Sequence, residues 1–119
     1  MRTYVAMLLV AVSGYTYAGS DTDSMASDAS IARGQTVYGK YCTKCHGKDA
    51  DGHGKDSWKY KPMPTNFHIA QAARAYELEI IQKGGKALGR SEDMPDWGDD
   101  LSTEQMQDVV SYVMSVRDY

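Results

Sequence analysis

The sequence predicts one small all-α domain whose long loops wrap something other than its own core. Three observations carry that prediction. Three stretches read as helices, two from apolar residues at helical spacing and one from its Ala, Glu, Leu and Gln content, and no stretch shows the alternation of a strand. An irregular segment, Gly47 to His68, holds five of the fourteen Gly and Pro residues, and a connection that long is uncommon in a compact domain. The 89 residues from Ile31 to Tyr119 make a core that is marginal without a disulfide, metal or cofactor to support it.

The elements follow in order. Arg2, a short apolar run from Tyr4 to Val12, and small or polar residues up to Tyr17-Ala18-Gly19 have the layout of a secretory signal peptide. Residues 1–18 are therefore expected to be cleaved after Ala18 and the product exported. Residues 19–30 (GSDTDSMASDAS) are small, polar and acidic, and read as a flexible leader. The domain proper is expected over 31–119. Its first helix runs from Ser30 to about Cys45, with Ile31, Gly34, Tyr38 and Tyr41 on one face. The second runs from about Ala70 to Lys83, and Gly84-Gly85 stops it. The third opens at Ser102, which forms a capping box with Gln105. Met106, Val109, Val110, Val113 and Met114 then make one apolar stripe.

Composition removes several function classes. With 42% hydrophobic and 24% charged residues the chain is neither disordered nor collagen-like. Its net charge of −3 speaks against non-specific nucleic-acid binding. Loss of Arg2 with the signal takes that charge to −4. No apolar run reaches the ~18 residues of a membrane span, so none is expected after cleavage. Two cysteines are too few for a disulfide scaffold.

Those cysteines stand in Cys42-Thr43-Lys44-Cys45-His46. In a helical turn, positions i, i+3 and i+4 share a face, so two thiols and an imidazole point the same way. Haem carries two vinyl groups and a central iron. Thiols add to the vinyls as thioethers, and the adjacent imidazole reaches the metal, which makes this spacing the signature of c-type haem attachment. A thioredoxin-like pair would need a βαβ setting that is missing here. A zinc site would need another ligand pair, and only His53 and His68 remain. A disulfide across two residues would be strained.

The chain resembles a class I monohaem cytochrome c over Ile31 to Tyr119. The resemblance is carried by Gly34-x-x-x-Tyr38, Cys42 to Gly47, Pro62-x-Pro64-x-Asn66-Phe67, Gly89-Arg90-Ser91, Met94-Pro95-x-Trp97-Gly98, and Leu101-Ser102 opening a helix that contains Tyr112. It implies a cytochrome c fold, with first and last helices crossing, Gly34 and Tyr38 against Val109, Tyr112 and Val113. It implies one covalent haem c, a bacterial periplasmic location, and service as an electron carrier rather than an enzyme. It also implies a proline carbonyl that accepts the second N–H of the axial histidine, with Pro64 ahead of Pro62.

His46 supplies one axial bond. For the other, Met106 and Met114 fit core packing better, Met25 lies in the leader, and Met1 and Met7 leave with the signal. Met94 ranks first: it lies 48 residues beyond His46, far enough for the chain to cross the haem, and precedes Pro95. The resemblance agrees. Met63, also before a proline, ranks second, while His53 reads as a solvated loop residue and His68 as a surface residue at a helix start. A thioether favours ferrous iron and raises the potential, and two filled axial positions leave none for substrate. Trp58, Tyr60 and Trp97 are candidates for the haem wall, though each reads more readily as core.

Charge is uneven. Residues 31–65 balance to +4 and residues 91–119 to −7. A dipole of that kind orients docking to redox proteins, the expected partners of a monomeric carrier. A fixed subunit of a larger redox complex and a ligand-binding haem sensor or enzyme are the alternatives.

Overall fold

A computed structural model describes residues 26–118. The expected signal peptide (1–18) and residues 19–25 of the expected leader lie outside the described residues. Among the described residues the secondary structure is helical throughout, with no strand. Helix α1 spans Asp28–Tyr41, α2 Thr43–His46, α3 Arg74–Lys83 and α4 Thr103–Ser115.

Helix α1 starts two residues before Ser30, because Ser27 caps it: its side chain accepts from the Ser30 N–H at 3.1 Å, and Asp28 places a negative charge in the first turn. The last three residues of the expected leader thus belong to the domain. The helix expected to run on to Cys45 breaks at Cys42. The Thr43 hydroxyl there donates to the Gly39 carbonyl at 3.2 Å, and a separate turn, α2, follows.

Helix α3 starts at Arg74 rather than Ala70. The segment ahead of it is tied to the C-terminal arm. Asp118 N–H donates to His68 at 2.8 Å, and the Arg117 guanidinium donates to Ala72 at 2.8 Å. Gly84, at φ 79°, caps the far end, as the Gly-Gly pair implied. Helix α4 carries the expected capping box: Gln105 N–H reaches Ser102 Oγ at 3.1 Å, and Ser102 N–H reaches Gln105 Oε1 at 2.9 Å.

Packing is led by α1 across α4, with α3 against α4. The crossing is close because position 34 is glycine. A Cβ there would overlap the Asp108 carbonyl and come within 3.0 Å of Tyr112 Cβ. Tyr38 rests on Tyr112 with ring centroids 5.0 Å apart. The core comprises Val37, Tyr38, Ala50, Phe67, Ile81, Leu101, Met106, Val109, Val110 and Val113. Four of the five residues of the predicted α4 stripe are buried in it, and Met114 packs at its edge. Each such side chain contributes roughly 1.5–3 kcal/mol when fully buried. The α1–α4 seam is pinned by Asp108, which accepts from Ser30 Oγ at 2.7 Å and from Arg33 Nε at 2.7 Å.

Candidate functional site: a cavity beside the Cys-x-x-Cys-His turn

The first three groups of the site come from one turn. His46 N–H donates to the Cys42 carbonyl at 2.9 Å, and Cys45 N–H to the same oxygen at 3.3 Å. This ring of bonds holds Cys42, Cys45 and His46 together beside the core. Tyr38, buried on α1, fixes the end of the turn by donating its hydroxyl to the Gly47 carbonyl at 2.7 Å. Both cysteines are free thiols. Burial, aided by Cys45, pushes the Cys42 thiol up to about 12, which keeps it protonated.

His46 is buried. Its Nδ1 lies 3.2 Å from the Thr65 carbonyl, and its ring stacks on Phe67 with centroids 4.8 Å apart and planes tilted by 30°. Burial lowers the imidazole's proton affinity, against the Thr65 bond, and so favours the neutral ring. With Nδ1 occupied by a carbonyl, Nε2 is the nitrogen left for a metal. The expected acceptor, the Pro64 carbonyl, is displaced by one residue. Its oxygen instead faces Gly52, where a Cβ would sit 2.6 Å from it, so the next carbonyl turns to the histidine.

Cys42, Cys45 and His46 open into a cavity of about 930 Å³. Apolar groups supply much of its wall, among them Tyr38, Phe67, Ile80, Ile81, Val109 and Val113. Pro62, Met63, Pro64 and Thr65 border it from the irregular segment, and Gly89 to Pro95 from the loop after α3. Both methionine candidates therefore reach it, in different states. Met94 is half-buried and packs against the core. Its backbone is held at both ends, N–H to Ser91 at 3.3 Å and carbonyl to Gly85 at 3.0 Å. Met63 is 48% exposed.

Other expected residues fall elsewhere. Tyr60 lines the cavity, but Trp58 is neither wall nor core: it is 73% exposed on a single 3-10 turn whose buried member is Ser57. Trp97 is half-buried and packs on Tyr41 at 5.4 Å, away from the lining. His53 is exposed and bonded to Asp51. His68 is held by the Asp49 carbonyl at 2.7 Å, six residues ahead of α3. Glu77 was not anticipated. It is buried and borders the cavity, paired at 2.8 Å with Arg117, whose side chain is buried too. Its spacing from Ile81, one turn on, is the signal that places it on the inward face of α3.

The donor set suits a covalently bound haem: two free thiols and an imidazole on one turn, a wide apolar cavity, and thioethers across from them in sequence. The fold and this site define a c-type cytochrome. A family model described as cytochrome C oxidase, cbb3-type, subunit III matches residues 29–113, and the chain belongs to that family. It is 30% identical over 95 residues to quinohemoprotein alcohol dehydrogenase ADH IIB of Pseudomonas putida, covering 79% of this chain and 12% of that protein. It is also 30% identical over 92 residues to the cbb3-type cytochrome c oxidase subunit FixP of Sinorhizobium medicae (strain WSM419), covering 72% of this chain and 30% of FixP. Among solved structures it resembles a chain of the Kuenenia stuttgartiensis reducing HAO-like protein complex Kustc0457/Kustc0458, with a TM-score of 0.60 and 29% identity over 71% of this chain and 41% of that one. The chain thus spans less than a third of either curated relative.

Proposed function

We propose that the protein is an exported single-electron carrier holding one haem c, with thioethers from Cys42 and Cys45 and axial bonds from His46 and Met94. The observation that carries this reading is the single cavity onto which the two free thiols, the anchored imidazole and the braced methionine all open. Each thiol adds across a vinyl double bond, sulfur to one carbon and its hydrogen to the other, so attachment is redox-neutral. Bound there, the haem supplies a one-electron ferric/ferrous couple.

The chain's own work is to hold that couple still. Thr65 and Phe67 fix the His46 ring. Ser91 and Gly85 fix the backbone of Met94. The apolar wall would keep water from a bound haem, and with His46 and Met94 both holding its iron no position would be left for a substrate. The same fixed ligand set suits electron transfer and not catalysis, so the reaction chemistry belongs to the partners. Those are oxidoreductases outside the cytoplasm, the periplasm in a bacterium, which the signal-like residues 1–18 support. Both curated relatives are far longer than this chain, which favours as a second reading a cytochrome that works within a larger redox assembly.

Optical spectra test the ligand set. The oxidised protein is expected to show the red charge-transfer band of iron–thioether ligation. Met94→Ala should abolish that band and let the reduced protein bind carbon monoxide, whereas Met63→Ala should change neither. Loss of the band in Met63→Ala alone would transfer the role to Met63. A wild-type protein without the band that binds carbon monoxide readily would replace the carrier by a ligand-binding haem protein.

A further inference from the structure

Charged residues at the cavity, Lys61, Arg90, Glu92 and Asp93, are exposed at its border, with one exception that the fold keeps buried. Glu77 lies on α3 with its side chain 7% exposed, and it borders the cavity. The side chain of Arg117, beyond the end of α4, is 4% exposed and donates to Glu77 Oε1 at 2.8 Å. Its other terminal nitrogen donates to the Ala72 carbonyl at 2.8 Å, while its Nε finds no acceptor among the described residues. A buried pair of this kind is not an efficient way to gain stability, because desolvation offsets the attraction between the charges. It is also oriented: the carboxylate borders the cavity and the guanidinium does not. Burial pushes the Glu77 carboxyl up, and the charge and hydrogen bond of Arg117 pull against that shift.

We propose that Glu77, held in its ion pair with Arg117, is a potential-setting residue whose negative charge stabilises the ferric state of the haem in this cavity. The inference rests on the haem-carrier reading above. Oxidation adds one positive charge to the iron centre. A carboxylate fixed in the same wall favours that charge, and the guanidinium behind it opposes the uptake of a proton that burial promotes. Arg117 acts through Glu77 and is a positioning residue.

Spectroelectrochemical titration of the intact haem-bearing protein tests this with Glu77→Gln and the double variant Glu77→Gln/Arg117→Gln. Glu77→Gln removes the anion and leaves a buried cation. At a fixed ambient potential near the midpoint its ferric-to-ferrous ratio is expected to fall about fivefold or more, the scale of a unit charge acting across a partly buried site. The double variant is neutral at both positions and is expected to recover most of that ratio, although it has lost more native contacts. A purely structural pair predicts the opposite order, with the double variant displaced at least as far as the single one. Retention of the iron–thioether band in each variant shows that the axial ligands are unchanged. Should Glu77→Gln fail to yield haem protein, the double variant and Arg117→Lys decide. Both are expected within about twofold of the wild-type ratio, and a larger displacement of either overturns the proposal. An unchanged ratio in Glu77→Gln with haem and band intact also overturns it, leaving the carrier reading standing. Absence of bound haem from the wild type would instead remove the carrier reading itself.

Discussion

At the scale of single residues, the site depends on groups that fix other groups. His46 is aimed by a backbone carbonyl and by Phe67, which is itself locked edge-on against Tyr38 at 6.4 Å. Phe67→Ala is expected to cost ~3–5 kcal/mol, as large-to-small changes of buried aromatics do, read as a lower denaturant midpoint. It should also broaden the optical and magnetic signatures of the axial histidine. A midpoint equal to wild type would show that Phe67 does not brace the site. That Cys42, Cys45 and His46 would come together was legible from spacing alone, since they must share a face wherever that turn is helical. The identity of the supporting carbonyl was not, because Thr65 and Pro64 are neighbours and a backbone rotation exchanges their roles. Trp58 was misplaced for a related reason: a tryptophan reads as core from composition, and only the 3-10 turn that buries Ser57 sends it outward.

At the scale of elements, the α1–α4 seam carries the fold. Gly34→Ala would force a methyl group into the Asp108 carbonyl, and is expected to cost at least ~2 kcal/mol. Little or no loss would mean that the helices separate without penalty. Asp108 adds a pH signature. The hydrogen bond from Arg33, and then that from Ser30, hold its carboxyl below the ordinary value of 3.8 despite burial. A depressed folded-state value contributes stability above the unfolded one and loses it as pH falls through the folded one. Asp108→Asn is therefore expected to cost ~1–2 kcal/mol at neutral pH. The gap from wild type should shrink progressively below the ordinary value of 3.8. A gap that does not change with pH would contradict the ionic account. Ser102→Ala removes half of a capping box and should cost ~1 kcal/mol in thermal or chemical melts. Capping and apolar periodicity made the start and the buried face of α4 readable to the residue. Helix α3 was readable only in part, because the carbonyls of His68 and Ala72 are claimed by Asp118 and Arg117, partners about 50 residues away along the chain. Such tertiary capture has no local signal.

At the scale of the whole molecule, two asymmetries matter. The first is charge, basic over residues 31–65 and acidic over 91–119. Exposed Lys44 and Lys59 are both steered by the half-buried Asp56 carboxylate, at 3.2 and 2.9 Å, which shapes the basic face. Bimolecular electron transfer with a charged redox partner is expected to depend steeply on salt between low and physiological ionic strength, and a rate independent of salt would dismiss steering by charge. The second is that the cavity occupies space which a self-sufficient domain of this length would fill with side chains. Covalent haem at the Cys42–His46 turn would fill that space. Intact-mass and peptide-level mass spectrometry of the protein, made in cells able to attach haem c, tests that most directly. The expected result is the mass of one haem, localised to the peptide containing Cys42 and Cys45 and lost when both become serine. A product carrying no added mass, or carrying it on another peptide, would contradict the account.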